Sequence, residues 1–175
     1  MNALTRVTLA YFTPFLHWLN DSWLGVITRE YHYVFTTCLV LHFIGLSLLM
    51  GSMLIVDLRL LGFPRQLPIA AAMKFLPIAI AGFLINLCTG ITMVSFDAID
   101  YWLNPAFRVK MALVLVAGLN ALWFTLVEQR QVLSQPSGQR TTVAVRTSAA
   151  LSLFVWFAII FWGRMIVAFQ SSASF

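Results

Sequence analysis

Four stretches of this chain are apolar over the roughly 20 residues that a helix needs to cross the hydrocarbon core of a bilayer. They run over about residues 31–56, 70–95, 107–127 and 148–169. Water cannot hold a fold that carries all four, because too little polar side chain is left to cover them. Only 10% of the residues are charged and 61% are hydrophobic, whereas a soluble domain carries roughly 25% charged residues. The expected fold class is therefore all-α: an integral membrane four-helix bundle. Short connections between the runs favour antiparallel neighbours.

Before the first run, Pro14, His17, Asn20 and Asp21 interrupt an aromatic stretch over 8–26. That pattern predicts an interfacial amphipathic helix, with Tyr11, Phe12, Phe15, Trp18 and Trp23 dipping into the headgroup boundary. The organisation that follows is an interfacial segment over 1–30, the bundle over 31–169 and a short tail over 170–175. The N-terminus has Arg6 but no clean apolar stretch followed by a small-residue cleavage site, so no removable signal peptide is expected.

The formal net charge of +5 does not point to nucleic acid, since the basic residues stand singly between apolar runs. It reads instead as topology. The connections after the first and third runs carry Arg59, Arg65, Lys74, Arg130, Arg140 and Arg146, and the opposite side carries Arg6, Arg29 and Arg108. By the positive-inside rule the first group is cytoplasmic. The expectation is a bacterial cytoplasmic (inner) membrane protein with both termini extracytoplasmic. Its partners are then the lipid bilayer and a larger membrane complex or further copies of itself.

Ionisable groups inside the runs demand a reason, since a charge at mid-helix costs on the order of 2.5–3.5 kcal/mol on insertion scales. His42 lies about 16 Å into the first run at 1.5 Å per residue, near mid-membrane. Lys110 starts the third run and Arg164 ends the fourth, on the same side as each other. One reading is structural: a neutral His42 hydrogen-bonded to a neighbouring helix, with Lys110 and Arg164 snorkelling to the headgroups. The other makes His42 an axial ligand to the iron of haem b. Gly45 would leave room for the flat ring, and Lys110 and Arg164 would pair with its propionates or with a quinone headgroup. His17 and His32 are the other two histidines. His32 is about 15 Å from His42 along the helix and on another face, so a second ligand would be Lys110, a methionine or water. Asp57 and Arg59 read as a helix-end ion pair or as hydrogen-bonding the loop that follows. No phosphate loop, zinc-protease pattern or nucleophile elbow is present, so no hydrolase or nucleotide-binding function is expected.

Three stretches, HFIGLSLLMGSMLIVDLRLLG, NPAFRVKMALVLVAGLNALWF and LFVWFAIIFWGRMIVAF, resemble an uncharacterised bacterial family of small four-helix membrane proteins, a domain of unknown function. The elements DLRLLG, NPAFxxKM, GLN and WGR carry that resemblance together. A more distant likeness is to membrane-bound protoporphyrinogen oxidases, which have a first-helix histidine followed by Gly and an Arg-Leu pair, and a later Lys at a helix start. Here these are His42, Gly45, Arg59-Leu60 and Lys110. The likeness implies His42 as ligand and Lys110 as porphyrin partner. Asn120 and Trp123 stand where that family tends to have a Tyr-His pair, which argues against the oxidase reaction itself. Copper-resistance membrane proteins share a similar first-helix histidine. The function these readings support is a membrane subunit that binds haem b or a quinone and transfers electrons to or from an extracytoplasmic partner. The alternative is a non-catalytic anchor or assembly subunit of a larger complex.

Overall fold

The computed structural model describes residues 3–64, 66–134 and 141–171, and side chains over 11–64, 66–134 and 141–169. The side chains of Arg6, Arg65 and Arg140, and residues 172–175 of the expected tail, lie outside the described residues. The described chain is helical almost throughout. Four of its helical stretches, His32–Leu61, Ile69–Val94, Pro105–Leu133 and Val143–Phe169, are long and apolar enough to cross a membrane.

The N-terminal segment is two helices rather than one, α1 (Ala3–Asn20) and α2 (Trp23–Glu30). The corner arises because Ser22 caps α2, its Oγ accepting from the Gly25 N–H at 3.3 Å, as a serine at that position does well. Arg29 then fastens the corner to the neighbouring chain. Its guanidinium donates to the carbonyls of Asn20 (2.6 Å), Phe96 (3.2 Å) and Ser95 (3.4 Å), and Asn20 Oδ1 accepts from the Ala98 N–H at 2.6 Å. Phe12 lies against Trp102 with ring centroids 4.9 Å apart. Tyr11, Phe15, Trp18 and Trp23 remain exposed.

Helix α3 (His32–Leu61) ends where Gly62 adopts a left-handed φ of 105° and returns its N–H to the Arg59 carbonyl, the usual glycine stop. The second long stretch is broken into α4 (Ile69–Met73) and α5 (Leu76–Val94), with Pro77 in the first turn of α5, where its missing N–H is tolerated. After α6 (Ala98–Leu103), α7 (Pro105–Trp123) is capped by Asn104. Its Oδ1 accepts from the N–H groups of Ala106 (3.0 Å) and Phe107 (3.4 Å), while its Nδ2 donates to the Ile166 carbonyl at 2.9 Å. Helix α7 continues through a π turn (Phe124–Glu128) into α8 (Gln129–Leu133), and α9 runs over Val143–Ser171. The third and fourth helical stretches thus extend beyond the expected 107–127 and 148–169. Hydropathy marks where apolar side chains begin, while the backbone starts coiling at its caps, here Asn104 and Thr142, whose Oγ1 accepts from the Val145 N–H.

Helix α3 lies against α5 on one side and α9 on the other, and α9 lies against α7. Helices α5 and α7 make little or no contact. His42 near the start of α3 meets Thr89 near the end of α5, and Asn104 before α7 meets Ile166 late in α9, so both pairs are antiparallel. One end of the molecule therefore carries α1, α2 and α6; the other carries the connections after α3 and α8, and is called the loop end below. Val56, Leu60, Ile69, Val132, Val145 and Ala149 form a buried cluster there. The outward faces are apolar, with Leu115 65% and Phe154 70% exposed, and surfaces of this kind call for an apolar surrounding phase.

Candidate functional site

His42 is half-buried on α3, and its Nδ1 lies 2.9 Å from Thr89 Oγ1. The Thr89 hydroxyl donates to the Ile85 carbonyl at 2.7 Å. It therefore accepts from Nδ1–H, which in a neutral imidazole leaves Nε2 as the acceptor. The hydrogen bond to a neighbouring helix anticipated in the structural reading is present. Gly45, one turn on, does not border an open groove. A Cβ there would stand 2.9 Å from the Gly82 carbonyl oxygen, and a Cβ on Gly82 would stand 2.6 Å from the Gly45 carbonyl oxygen. The two glycines are where α3 and α5 touch backbone to backbone. The space expected for a flat ring beside Gly45 is filled by α5.

Lys110 is half-buried on α7 and turned toward α9, where a Cβ on Gly163 would lie 3.7 Å from its Nζ. Arg164 is exposed. The structure thus sets His42 between α3 and α5 and Lys110 between α7 and α9, and leaves Arg164 on the surface. Nearby, outside the long helices, burial and then the Asp97 charge push the Tyr101 phenol above its ordinary range.

A second polar region lies at the loop end, and it contains a cavity of about 210 Å³ bordered by all four long helical stretches. Its walls are largely apolar, with Leu49, Phe83, Val114 and Trp156 among them, and Asp57, Asn120, Ser148 and Ser152 supply the polar side. Gly118 borders the cavity on the exposed side of α7, and a Cβ there would meet nothing within 4 Å. The cavity exists because α3 and α9 touch while α5 and α7 do not close over them.

Asp57 is 3% exposed, and its Oδ2 has no hydrogen-bond partner among the described residues. Ser152 borders the same cavity, and its buried Oγ likewise has no hydrogen-bond partner among the described residues. The expected ion pair with Arg59 is not made. Residues two apart point to different sides of a helix, so Asp57 turns inward while Arg59, also buried, donates from Nε to the Leu67 carbonyl. Glu128, a residue that sequence reasoning missed, is likewise 3% exposed. Its Oε1 accepts from Ser148 Oγ at 3.1 Å and from Trp123 Nε1 at 3.2 Å, and its Oε2 has no partner among the described residues. Asn120 Nδ2 donates to the Ser148 carbonyl at 3.1 Å. Ser148 and Ser152, one turn apart in an apolar helix, were the available signal. No cluster of metal-ligating side chains occurs among the described residues.

These features define a protein whose described residues are helical, with four helices long and apolar enough to cross a membrane, one buried carboxyl group lining a cavity between them and a second bonded to a serine that lines it. The chain belongs to DUF6644, a family of unknown function, whose model matches residues 15–169. No curated protein and no solved structure matches it. The likenesses to protoporphyrinogen oxidases and copper-resistance proteins rest on the short motifs alone. Of the residues in the short elements DLRLLG, NPAFxxKM, GLN and WGR, Asp57, Leu60, Gly118 and Asn120 border the cavity.

Proposed function

We propose that the chain is a membrane-inserted four-helix subunit that binds a quinone headgroup in the loop-end cavity as part of a larger electron-transferring membrane complex. The observation that carries this reading is the cavity itself. A dry cavity of about 150 Å³ is known to take up benzene, so 210 Å³ accommodates one substituted ring and falls far short of a tetrapyrrole. Apolar walls suit the ring faces, while the Asn120 amide and the Ser152 hydroxyl can donate to a ring carbonyl oxygen. The gap between α5 and α7, open at Gly118, suits an isoprenoid tail lying in lipid.

Haem b on His42 is the weaker reading. His42 Nε2 is available in the neutral ring, but the space beside Gly45 belongs to α5. The charge distribution supports a cytoplasmic loop end, with Arg59, Lys74, Arg130 and Arg146 there against Arg29, Arg108 and Arg164 at the opposite end. Both termini are then extracytoplasmic, in the inner membrane of a bacterium, and the exposed aromatic residues of α1 and α2 face the headgroups on that side.

The test is a titration of the detergent-purified chain with a short-tailed ubiquinone, read by quenching of tryptophan fluorescence, together with quantification of quinone in its lipid extract. Saturable quenching at about one quinone per chain is expected, in the micromolar range of ordinary small-ligand sites. Unsaturable quenching and a quinone-free extract would overturn the reading. The anchor reading would then be favoured by stoichiometric recovery of the chain within a larger complex.

A further inference from the structure

We propose that Glu128, Ser148, Ser152 and Asp57 form a proton relay that connects the loop end of the molecule to the cavity. This goes beyond ligand binding and holds whatever ligand the cavity takes. Buried carboxyl groups inside helices of spanning length are rare and commonly belong to proton or ion pathways. Here two occur at the same end of the molecule, and each has an oxygen without a partner among the described residues, Oε2 of Glu128 and Oδ2 of Asp57. Asp57 stands about 6 Å along the axis from the end of α3, and Glu128 about 8 Å from the end of α8, at 1.5 Å per residue. Both are within reach of that end.

The local fold makes the arrangement specific. Glu128 closes the π turn over Phe124–Glu128, a geometry common at functional sites, and faces α9. Trp123 Nε1 and Ser148 Oγ hold its Oε1. One turn further along α9, Ser152 borders the same cavity as Asp57, and neither its Oγ nor Asp57 Oδ2 has a hydrogen-bond partner among the described residues. Ser148 and Ser152 both border the cavity, so the step between them passes through it. A single water needs only about 10–15 Å³ and two to four polar partners, and the hydroxyls of Ser148 and Ser152 with Asp57 Oδ2 supply them. The other charged side chains on the elements packed around this region are directed elsewhere. Arg59 binds the Leu67 carbonyl, and Lys74, Arg130 and Arg146 are exposed.

Each transfer breaks one O–H bond as the next forms. The Ser148 hydroxyl, which donates to Glu128 Oε1 at rest, turns so that its oxygen takes the proton of the Glu128 carboxyl while its own proton passes to the water. The water, held also by the Ser152 hydroxyl, then gives a proton to Asp57 Oδ2. No electron moves, and the reverse sequence discharges Asp57.

The test is time-resolved infrared spectroscopy of the full chain in lipid vesicles, without any quinone, following carboxyl C=O bands after a pH jump. Failure of quinone binding therefore leaves it unaffected. A band abolished by Asp57→Asn is assigned to Asp57. Its response is expected to slow at least about tenfold, a barrier increase of about 1.4 kcal/mol, in both Glu128→Gln and Ser148→Ala. Trp123→Phe, which removes a hydrogen bond but no relay member, is expected to leave the rate within about twofold. Ser148→Ala removes one oxygen atom from the chain, so it keeps the test decisive if Glu128→Gln fails to fold. An Asp57 band that responds as fast in Ser148→Ala as in the wild type, or that never responds to pH, overturns the relay.

Discussion

Gly45 on α3 and Gly82 on α5 stand so close that a Cβ on either would lie under 3.0 Å from the other's carbonyl oxygen. The contact fixes how near the two helices approach, and His42 reaches Thr89 one turn away because of it. Gly82→Ala is expected to lower stability by about 1–3 kcal/mol, the range for overpacking a close contact. Gly51→Ala places its methyl group in open space and is expected to be neutral or stabilising by up to about 1 kcal/mol, since glycine weakens a helix interior. Thermal unfolding of both variants in detergent checks the pair. Equal melting temperatures would show that the α3–α5 contact is looser than described.

Asn104 serves two helices at once, capping α7 with Oδ1 and binding the Ile166 carbonyl of α9 with Nδ2. Asn104→Ala removes both. The expected loss is about 1–2 kcal/mol for the cap, with a further 1 kcal/mol or so for the buried hydrogen bond. Asn104→Asp retains the capping oxygen and is expected to recover part of the loss. Denaturant unfolding of the three proteins decides whether the cap or the bond to α9 matters more.

Gly118→Trp adds bulk at the open side of the cavity, at a position where a Cβ meets nothing within 4 Å. Its melting temperature is expected to match the wild type, and its affinity for a short-tailed ubiquinone to fall at least about tenfold, or about 1.4 kcal/mol. Unchanged affinity at unchanged stability would place the quinone elsewhere.

His42→Ala separates the two cofactor readings. With the ring in the loop-end cavity, the variant is expected to bind quinone as the wild type does, within about twofold. Oxidised and dithionite-reduced absorption spectra of both proteins are expected to lack a Soret band. A band present in the wild type and absent from His42→Ala would establish His42 as a haem ligand and reverse the preference.

The four helices of spanning length were legible because bilayer thickness sets a length that few other folds require. The corner at Ser22 was hidden by the aromatic residues on both sides of it, which read as one continuous surface. Of the two readings of Asp57 and Arg59, the ion pair fails because a helix points residues two apart in different directions, while the hydrogen bond to the loop is made by Arg59 alone. Glu128 was passed over because it stands one residue beyond the apolar run over 107–127, where a carboxylate reads as an exposed helix end. The cavity lay further out of reach, since it depends on which helices fail to meet, and hydropathy is silent on that.

Because α5 and α7 leave their side of the cavity unclosed, the fourth wall of the proposed site is not protein. In a bilayer that wall is acyl chain. Chain length and lateral pressure then set the shape of the site as directly as a side chain would, and the same polypeptide has a different affinity in each membrane that surrounds it.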